Sequence, residues 1–490
     1  MRIKTLYVRF YKSFNYDYLR KSHPDAQPDP WDLVAGGDLF YPFIRVPLER
    51  GITTVVGANE SGKSQLLSAI KCLLTGRGIE PRDFCRYSQF FTVGKEMSLP
   101  EFGGEFHALD DDEADVVRRL AGLQPSAIVD SFWLFRTNAG VTVYVESSDG
   151  WVQAEVKAVA LKELVLPSYF VIDANTPLPD SVPLSYLTAT AKTKQARPRR
   201  KVLGWLEKLL DNQDWFASVE GLDKAKPQLF EAHSKLNHTD EEDDQHLLQR
   251  LELAEKLLVD VAGIGVEAFK ELQNAVKSHD GYANAIVAKM NAELSRALNF
   301  PKWWSQDAEF SLSLTLRDFD LVFTVRDRTG SEYAPSERSG GMSYFLSYFV
   351  QYLSHRPSDG QEVLLMDEPD AHLSMMGQQD LLRIFDSFAE PEDPDRRPVQ
   401  VVYVTHSPFL IDRNHSERIR VLEKGDGDEG TRLVANAGRN HYEPLRSAFG
   451  ARGRDDLHRE LQPDARGSSR SGLARRASAS PVGRGRPARR

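Results

Sequence analysis

A glycine-rich loop between an apolar strand and an amphipathic helix is the feature that most constrains this chain. The loop, Gly57-Ala58-Asn59-Glu60-Ser61-Gly62-Lys63-Ser64, follows a β-branched run at Ile52–Val56. The segment behind it repeats apolar residues on one helical face, at Leu66, Leu67, Ile70, Leu73 and Leu74. Gly76 marks the expected helix end. The pattern predicts an α/β fold in which this loop binds phosphate, and the alternative is an ordinary glycine-rich turn between a strand and a helix.

The loop also predicts a ligand. Glycines allow backbone N–H groups to surround phosphate oxygens, and a helix N-terminus adds partial positive charge. Lys63 would reach the β- and γ-phosphates of a nucleotide, and Ser64 would ligate Mg²⁺. We therefore predict ATP and Mg²⁺ as ligands, with phosphate contacts from Gly57, Asn59, Gly62, Lys63 and Ser64.

A second apolar strand, Val363–Met366, ends in two adjacent carboxylates, Asp367 and Glu368. Neighbouring strand residues point in different directions, so the two carboxylates can take different roles. We predict that Asp367 holds Mg²⁺ and that Glu368 accepts the proton of an attacking water. Such a strand end is also typical of a simple turn, and the phosphate loop favours the catalytic interpretation.

The segment Ser336–Met342 (SERSGGM) places a double glycine before an apolar helical stretch at Tyr344–Leu353. It is a second potential anion-binding helix start. One chain needs only one phosphate loop, so we predict that Ser339 and Gly341 contact the ATP of a second copy. The alternative is a plain helix cap formed by Ser339.

A third apolar run, Val399–Val404, is typical of a buried parallel strand and leads to His406. Ligands of open α/β sheets bind at the carboxyl ends of strands, which is where His406 falls. It is predicted to hydrogen-bond the γ-phosphate and report hydrolysis, with a structural histidine as the alternative.

Gln89 is a weaker candidate for contact with Mg²⁺ or the lytic water, since a surface glutamine explains it equally well. Asp426-Gly427-Asp428 resembles a metal-binding pair but fits a hairpin turn.

Composition limits the classes of function. The net charge is -9, so no overall positive field attracts the chain to nucleic acid or anionic membrane, and any DNA contact must be local. Cys72 and Cys85 cannot form a disulfide framework and fit buried thiols in a reducing compartment. The start resembles a strand rather than a signal peptide, and no segment has the length of apolar sequence that spans a bilayer. We expect a cytoplasmic protein without membrane contact.

The predicted fold is an ABC-type α/β head with a mostly parallel central sheet, an N-terminal antiparallel lobe and a short helical insert. Short apolar segments and turns between Glu105 and Val152 predict the lobe. Residues 1–200 and 301–450 would form the two parts of the head, separated by helices in 201–300. A basic strip, Lys192–Lys201, precedes the insert, which is too short for a long coiled-coil arm. The Arg-rich segment 451–490 is predicted to be disordered.

The ordered set of phosphate loop, Arg-Ser-Gly-Gly segment, Asp-Glu-Pro strand and Thr-His-Ser strand resembles the ABC-type ATPases of the SMC/RecF group. Two further segments, Pro100–Phe106 and Tyr442–Arg446, look like those of the ATPase half of OLD-family (overcoming lysogenisation defect) proteins. The resemblance covers roughly residues 1 to 450. It implies a dimerising ATPase, as a homodimer or higher even oligomer, that regulates a TOPRIM nuclease domain and is associated with phage defence or DNA processing.

The chain departs from that family in three ways. A TOPRIM site needs a Glu and an Asp-x-Asp to bind two metals, and no Asp-x-Asp follows Ala435, so we expect no nuclease activity of its own. Met342 replaces a usually polar residue of the Arg-Ser-Gly-Gly segment. Ser374 stands where relatives often continue with His-Pro. A nuclease or other effector would then be a separate subunit.

The C-terminal segment Ala451–Arg490 contains eleven Arg and four acidic residues. One hypothesis is that truncation or a frameshift removed an ancestral nuclease, and the other is a nucleic-acid-binding arm. The leading functional prediction is an active ATPase. The alternatives are a regulatory ATP-binding subunit with little turnover, the nucleotide-binding domain of a transporter, and a nonfunctional truncated product.

Overall fold

The computed structural model describes residues 1–15, 27–34, 39–92, 98–148, 150–173, 176–189, 241–278, 281–307, 309–337, 340–358, 360–394, 396–412, 414–425 and 429–434. The chain divides into Met1–Phe449 and Gly450–Arg490, and every described residue belongs to the first unit. Several predicted features lie outside the described residues: Ser339, Lys192–Lys201, Asp426–Asp428, Tyr442–Arg446, the insert before residue 241 and the tail Ala451–Arg490.

A six-stranded, mostly parallel sheet lies at the centre, as predicted. Its order is β10-β15-β16-β5-β17-β18, and only the last pair is antiparallel. The bounds are β5 (Ile52–Gly57), β10 (Ser168–Val171), β15 (Glu362–Asp367), β16 (Gln400–Thr405), β17 (Ile419–Lys424) and β18 (Thr431–Leu433). Strands β5 and β16 are buried along their whole length, as expected for near-continuous apolar runs covered on both faces.

The register of the parallel strands brings three strand ends to one edge. Asp367 of β15 pairs with Val404 of β16, and Thr405 of β16 pairs with Val56 of β5. The same edge of the sheet therefore carries the phosphate loop, the carboxylate pair and His406. In open α/β folds this edge is the one that binds ligands.

The antiparallel lobe is also confirmed. Its strand order is β4-β1-β6-β7-β8-β9. The bounds are β1 (Arg2–Arg9), β4 (Ile44–Pro47), β6 (Glu101–His107), β7 (Ser131–Thr137), β8 (Gly140–Ser147) and β9 (Gly150–Glu155). The sequence pattern missed one element in this region, because Asp111–Ala121 forms a helix where only strands and turns were expected. The acidic residues that resemble a turn in the sequence form the N-terminus of this helix.

The remaining strands of the described residues form two smaller sheets. In one, β11 (Ser181–Pro183) and β12 (Ser311–Arg317) flank β13 (Asp320–Arg326), which also pairs with β14 (Glu332–Tyr333). In the other, β2 (Leu33–Val34) pairs with β3 (Leu39–Phe40).

The described helices follow the apolar periodicities. Their bounds are α1 (Lys63–Thr75), α2 (Asp111–Ala121), α3 (Ala158–Leu161), α4 (Leu184–Leu187), α5 (Glu241–Glu255), α6 (Val266–Ser278), α7 (Tyr282–Leu298), α8 (Gly340–Ser354) and α9 (Met375–Ala389). Helix α1 ends at Gly76 in the left-handed conformation, as predicted. A π-helical segment, Lys256–Val261, continues α5.

The insert packs as a helical layer on the main core. Leu257 and Leu258 of the π-helical segment and Met290 and Leu294 of α7 are buried in one cluster with α8 and α9. The longest regular α-helix in the described part of the chain is α7 with 17 residues, and α5 with its π-helical continuation runs from Glu241 to Val261, so the described insert contains no long arm. Within the same residues, no helix combines the length and apolarity needed to cross a membrane.

Helix α2 offers a test of local stability. Asp110 accepts a hydrogen bond from Glu113 N at 2.8 Å, and Glu113 accepts one from Asp110 N at 2.9 Å, which forms a capping box. We expect Asp110→Ala to lower the free energy of unfolding by about 1 kcal/mol, because a helix N–H loses its acceptor. Chemical denaturation measures the change. The control is Asp115→Ala, which removes an exposed carboxylate of the same helix and should change stability by less than about 0.5 kcal/mol. Equal losses would contradict the capping role.

Candidate nucleotide-binding site

The phosphate loop has two positions that only glycine satisfies. A β-carbon on Gly57 would collide with Leu422 O and Ser61 Oγ. Gly62 has a φ of +96°, and a β-carbon there would lie 2.7 Å from Thr431 Oγ1. Both constraints arise from the close packing of the loop between β17 and β18 and the start of α1. The spacing of the motif therefore reflects steric demands on the loop itself.

Lys63 is buried in the middle of the loop. Its side chain is 4% exposed, and Nζ donates hydrogen bonds to Gly57 O at 3.0 Å and Ala58 O at 3.1 Å. Nζ also lies 3.9 Å from Glu368 Oε1. Burial lowers the pKa of the Lys63 ammonium, while the charges of Glu368 and Asp367 oppose that shift. The Lys63 ammonium group therefore lies inside the loop, near Asp367 at the end of β15 and near Glu368, which follows it.

Ser64 and Asp367, the two predicted Mg²⁺ ligands, are in direct contact. Ser64 Oγ donates a hydrogen bond to Asp367 Oδ1 at 3.0 Å. Burial raises the pKa of Asp367, and the hydrogen bond from Ser64 opposes the increase. A hydroxyl and a carboxylate oxygen at this distance can ligate one cation together, because hard divalent cations prefer oxygen ligands.

The residues present fit a nucleotide with Mg²⁺. Helix α1 begins without a side-chain cap and without an acidic residue in its first turn, so its N–H groups can serve phosphate oxygens. Ser61 Oγ is buried and has no hydrogen-bond partner among the described residues. In the described part of the chain, no cluster of three or more His, Cys, Asp or Glu could hold a metal, so a cation here would need further oxygens from nucleotide and water. Asn59 is exposed at the turn of the loop.

Glu368 lies just beyond Asp367 in a strained conformation. Its φ is 45°, in the left-handed region that non-glycine residues rarely adopt. The backbone N–H donates to Val404 O at 3.0 Å, which ties this turn to β16. The carboxylate is 40% exposed and lies 3.5 Å from His406 Nδ1. A carboxylate that is partly open to water can act as a general base.

His406 follows β16 and is 47% exposed. Its second nitrogen, Nε2, lies 3.7 Å from Oδ2 of Asp370. The structure therefore brings His406 to the same edge as Lys63 and Glu368. The motif pattern did not single out Asp370, although its place three residues after Asp367 was visible in the sequence.

The signature segment is only partly described, because Ser339 lies outside the described residues. Gly341, in the first turn of α8, has its β-carbon position 3.0 Å from His372 O. The ring of Tyr344 stacks on His372 at 4.0 Å. The start of α8 is thus packed against the loop that follows Glu368.

Two of the three departures from the pattern of the resembled family, Met342 and Ser374, have structural reasons. Met342 is 5% exposed and lies in the main hydrophobic core, where an apolar side chain is required. Ser374 caps α9, since its Oγ accepts a hydrogen bond from Gly377 N at 3.2 Å. Neither residue occupies a position that touches the phosphate loop in the described contacts.

Gln89 is exposed on the turn after Phe84, and its role stays a prediction.

The motif pattern did not identify two residues that support the loop. Ser13 Oγ donates to Gln65 Oε1 at 2.6 Å and lies 2.7 Å from Thr431 Oγ1. Thr431 Oγ1 donates to Ser61 O at 3.0 Å. These hydrogen bonds support the loop from the turn that follows β1 and from the β17–β18 hairpin, and no local sequence signal marks them.

A known protein family matches part of the chain. Residues 191–412 match the AAA domain family described as "AAA domain, putative AbiEii toxin, Type IV TA system". The segment is slightly less than half of the chain and contains the Ser339 segment, the carboxylate pair and His406, but not the phosphate loop. No curated protein matches significantly. The match is compatible with an AAA-type ATPase domain over this segment, whereas the ABC/SMC-group and OLD-family resemblances stay predictions.

Solved structures similar to the chain include several SMC head domains. One from Thermotoga maritima has 12% identity and a TM-score of 0.35, and the match covers 89% of this chain and 98% of that chain. The head domain from Pyrococcus furiosus bound to the C-terminal domain of ScpA has 15% identity and a TM-score of 0.35, with 88% and 95% coverage. One from Pyrococcus yayanosii has 16% identity and a TM-score of 0.34, with 88% and 96% coverage. These TM-scores are too low to carry a functional argument.

The packing of Gly62 gives a direct test of the loop. We expect Gly62→Ala to weaken ATP binding by about tenfold or more, because the left-handed φ and the contact with Thr431 both oppose a β-carbon. The control is Gly78→Ala, which has a φ of +71° but nothing within 4 Å of the added carbon. Titration with a fluorescent ATP analogue measures both affinities. Wild-type affinity in Gly62→Ala would show that the loop does not cradle the nucleotide.

Proposed function

We propose that this chain binds and hydrolyses ATP as an ABC/SMC-like ATPase, and that two copies close around the nucleotide. The hydrogen bond between Ser64 and Asp367 is the observation that carries the proposal. It joins the loop that would bind phosphates to the strand that would hold the metal. Lys63 is buried, and its Nζ lies 3.9 Å from Glu368 Oε1. The phosphate-binding cation and the proposed general base are therefore next to each other.

Each residue has a role in the proposed reaction. The first turn of α1 and Lys63 bind the phosphates of ATP. Ser64 and Asp367 would hold Mg²⁺, which neutralises phosphate charge when bound. Glu368 accepts a proton from the water that attacks the γ-phosphorus, and ADP leaves with the bridging oxygen. His406 hydrogen-bonds the γ-phosphate. Gln89 is retained as a candidate for positioning the water.

The second copy enters through the start of α8. Ser339 and Gly341 of each copy would contact the γ-phosphate bound by the other. The packing of Gly341 and Tyr344 on His372 supports this coupling, because a force on α8 reaches the loop that follows Glu368. ATP would favour the closed dimer and ADP the open one. The free-energy difference between the ATP-bound and ADP-bound states would therefore come from the contacts between the two copies.

The biological setting follows from the resemblance to OLD-family ATPases. We propose a role in DNA processing or phage defence, in the cytoplasm, with DNA and a separate nuclease or effector subunit as partners. The matched family carries the description of a putative toxin of a Type IV TA system, which is compatible with defence. A second candidate is a regulatory subunit that binds ATP with little turnover. It is favoured by the close contact of Lys63 with Glu368, which holds the general base in an ion pair.

Hydrolysis tests the role of Glu368. We expect Glu368→Gln to lower kcat for phosphate release by about 10²–10⁴-fold and to leave ATP affinity unchanged, because the amide cannot accept the proton. The control is Glu390→Gln at the exposed end of α9, which should hydrolyse ATP at the wild-type rate. The assay is run with and without duplex DNA. Unchanged turnover in Glu368→Gln rejects its role, and negligible wild-type turnover in both conditions favours the regulatory subunit.

Mass measurement tests the dimer. In the Glu368→Gln background, we expect ATP with Mg²⁺ to double the mass found by light scattering, because uncleaved ATP holds both copies together. Adding Ser339→Arg should prevent the doubling without loss of ATP binding. The control is Ser331→Arg on an exposed turn, which should leave the doubling intact. A mass that stays constant when ATP is bound contradicts the nucleotide-gated dimer.

A further inference from the structure

A buried glutamine lies between two segments that the proposed reaction uses. Gln378, near the start of α9, is 7% exposed. Its Nε2 donates a hydrogen bond to Leu373 O at 3.0 Å, and its Oε1 accepts one from Ser407 Oγ at 2.6 Å. Leu373 belongs to the loop that follows Glu368, and Ser407 is the residue after His406. One side-chain amide therefore joins the two segments.

Only one orientation of the Gln378 amide satisfies both hydrogen bonds. A carbonyl oxygen such as Leu373 O can only accept, so the NH₂ group must face it. The Ser407 hydroxyl then donates to the amide oxygen, and Ser407 Oγ itself accepts from Phe409 N at 3.3 Å. A rotation of the amide would break both hydrogen bonds together. The amide therefore fixes the separation of the two segments.

The Leu373 end of this bridge contacts the start of α8. A β-carbon on Gly341 would lie 3.8 Å from Leu373 Cα and 3.6 Å from Ser374 N. Leu373 is also buried in the same hydrophobic core as Met342 of α8. Gln378 N donates to Ser374 O at 2.9 Å, so the backbone and the side chain of Gln378 hold the same loop. A movement of α8 at Gly341 would therefore reach the bridge.

The Ser407 end of the bridge sets the place of His406. Ser407 N donates to Thr405 Oγ1 at 2.9 Å, so the residues on both sides of the histidine are tied together. Ser407 also caps the short helix Pro408–Leu410 through its bond from Phe409 N. The imidazole is 47% exposed. Its position at the nucleotide edge is thus determined by the backbone that carries it, and Gln378 holds that backbone from the side of α9.

We propose that Gln378 is a positioning residue that couples the start of α8 to His406: its amide passes the docking of a second copy on α8 to the histidine that contacts the γ-phosphate. This inference rests on the proposed function, since it assigns a task within the same site. Gln378 touches neither the nucleotide nor the attacking water in this scheme. It acts only through Leu373 and Ser407.

The test uses Gln378→Met, which keeps the length of the side chain and removes both hydrogen bonds. We expect kcat to fall by about 5–30-fold with affinity for ATP unchanged, because residues that connect two sites carry coupling of that size. In the Glu368→Gln background, Gln378→Met should still allow ATP with Mg²⁺ to double the mass found by light scattering. A dimer that forms but hydrolyses slowly is the result expected of a coupling residue.

The matched control is Gln351→Met, in the last turn of α8. The amide of Gln351 forms a similar bridge, because Nε2 donates to Asp173 O at 3.1 Å and Oε1 accepts from Asp173 N at 2.9 Å. Its kcat per folded protein should match the wild type. Equal losses of kcat in the two variants overturn the proposal. So does a Gln378→Met variant that loses the ATP-dependent dimer together with hydrolysis, because the glutamine then only supports the fold.

Ser407 supplies a second test, which applies even if Gln378→Met does not fold. Ser407→Ala removes the hydrogen bond to Gln378, whereas Ser407→Thr keeps the hydroxyl. We expect kcat to fall in the alanine variant and to recover in the threonine variant, and equal rates in the two would overturn the proposal. Gln378→Met and Ser407→Ala break the same link, so combining them should lower kcat by less than about twofold beyond the slower single variant. Additive losses contradict a shared link.

The Glu368→Gln variant distinguishes the two levels of inference. If its mass doubles with ATP and its hydrolysis is abolished, while Gln378→Met hydrolyses ATP at the wild-type rate, only the coupling role fails. If Glu368→Gln hydrolyses normally, or its mass stays constant when ATP is bound, the proposed function itself fails.

Discussion

The alignment of three parallel strand ends is the constraint on which the site depends. Ser64 and Asp367 are 303 residues apart in sequence. Asp367 ends β15, and Ser64 follows the loop after β5. Strand β16 lies between β15 and β5 in the sheet. Their 3.0 Å hydrogen bond therefore requires β16 to be in register with both neighbours. Gln400, at the start of β16, is 1% exposed and fixes this strand from the far end: its amide NH₂ donates to Ile3 O and Glu49 O, and its Oε1 accepts from Ile3 N. One buried polar side chain thus ties the central sheet to the antiparallel lobe.

The charges at this edge are arranged around one buried cation. Lys63 is near three carboxylates, those of Asp367, Glu368 and Asp370, and all three favour its charged form against the effect of burial. Bound phosphates would bring more negative charge to the same place. The positive end of α1 and a divalent cation on Ser64 and Asp367 are therefore needed to offset the repulsion. The electrostatics explain why the loop, the helix start and the carboxylate strand occur together.

Local patterns predicted most of the fold and the residues that meet at the centre of the candidate site. The β-branched run at Ile52–Val56 and the stop at Gly76 are determined by neighbours in sequence, so they could be recognised there. Helix α2 could not, because its acidic start resembles a turn until Asp110 and Glu113 are seen to cap each other. Long-range contacts were equally hidden: Ser13 meets Thr431 across 418 positions, and Thr405 meets Asp370 across 35. Each of these residues is ordinary in its own segment, and only the folded chain gives it a role.

The loop from Glu368 to Ser374 joins the two halves of the proposed cycle. Its first part turns through hydrogen bonds from Ala371 N to Glu368 O and from Leu373 N to Asp370 O, which make it a compact unit. Its last part contacts α8 through His372 and receives a hydrogen bond from Gln378 at Leu373 O. Gln378 also accepts from Ser407, the residue after His406. In the proposed dimer, a displacement of α8 by a second copy would therefore reach Glu368, the proposed general base, and His406 through one connected set of short contacts, which is the physical requirement for coupling dimer closure to hydrolysis.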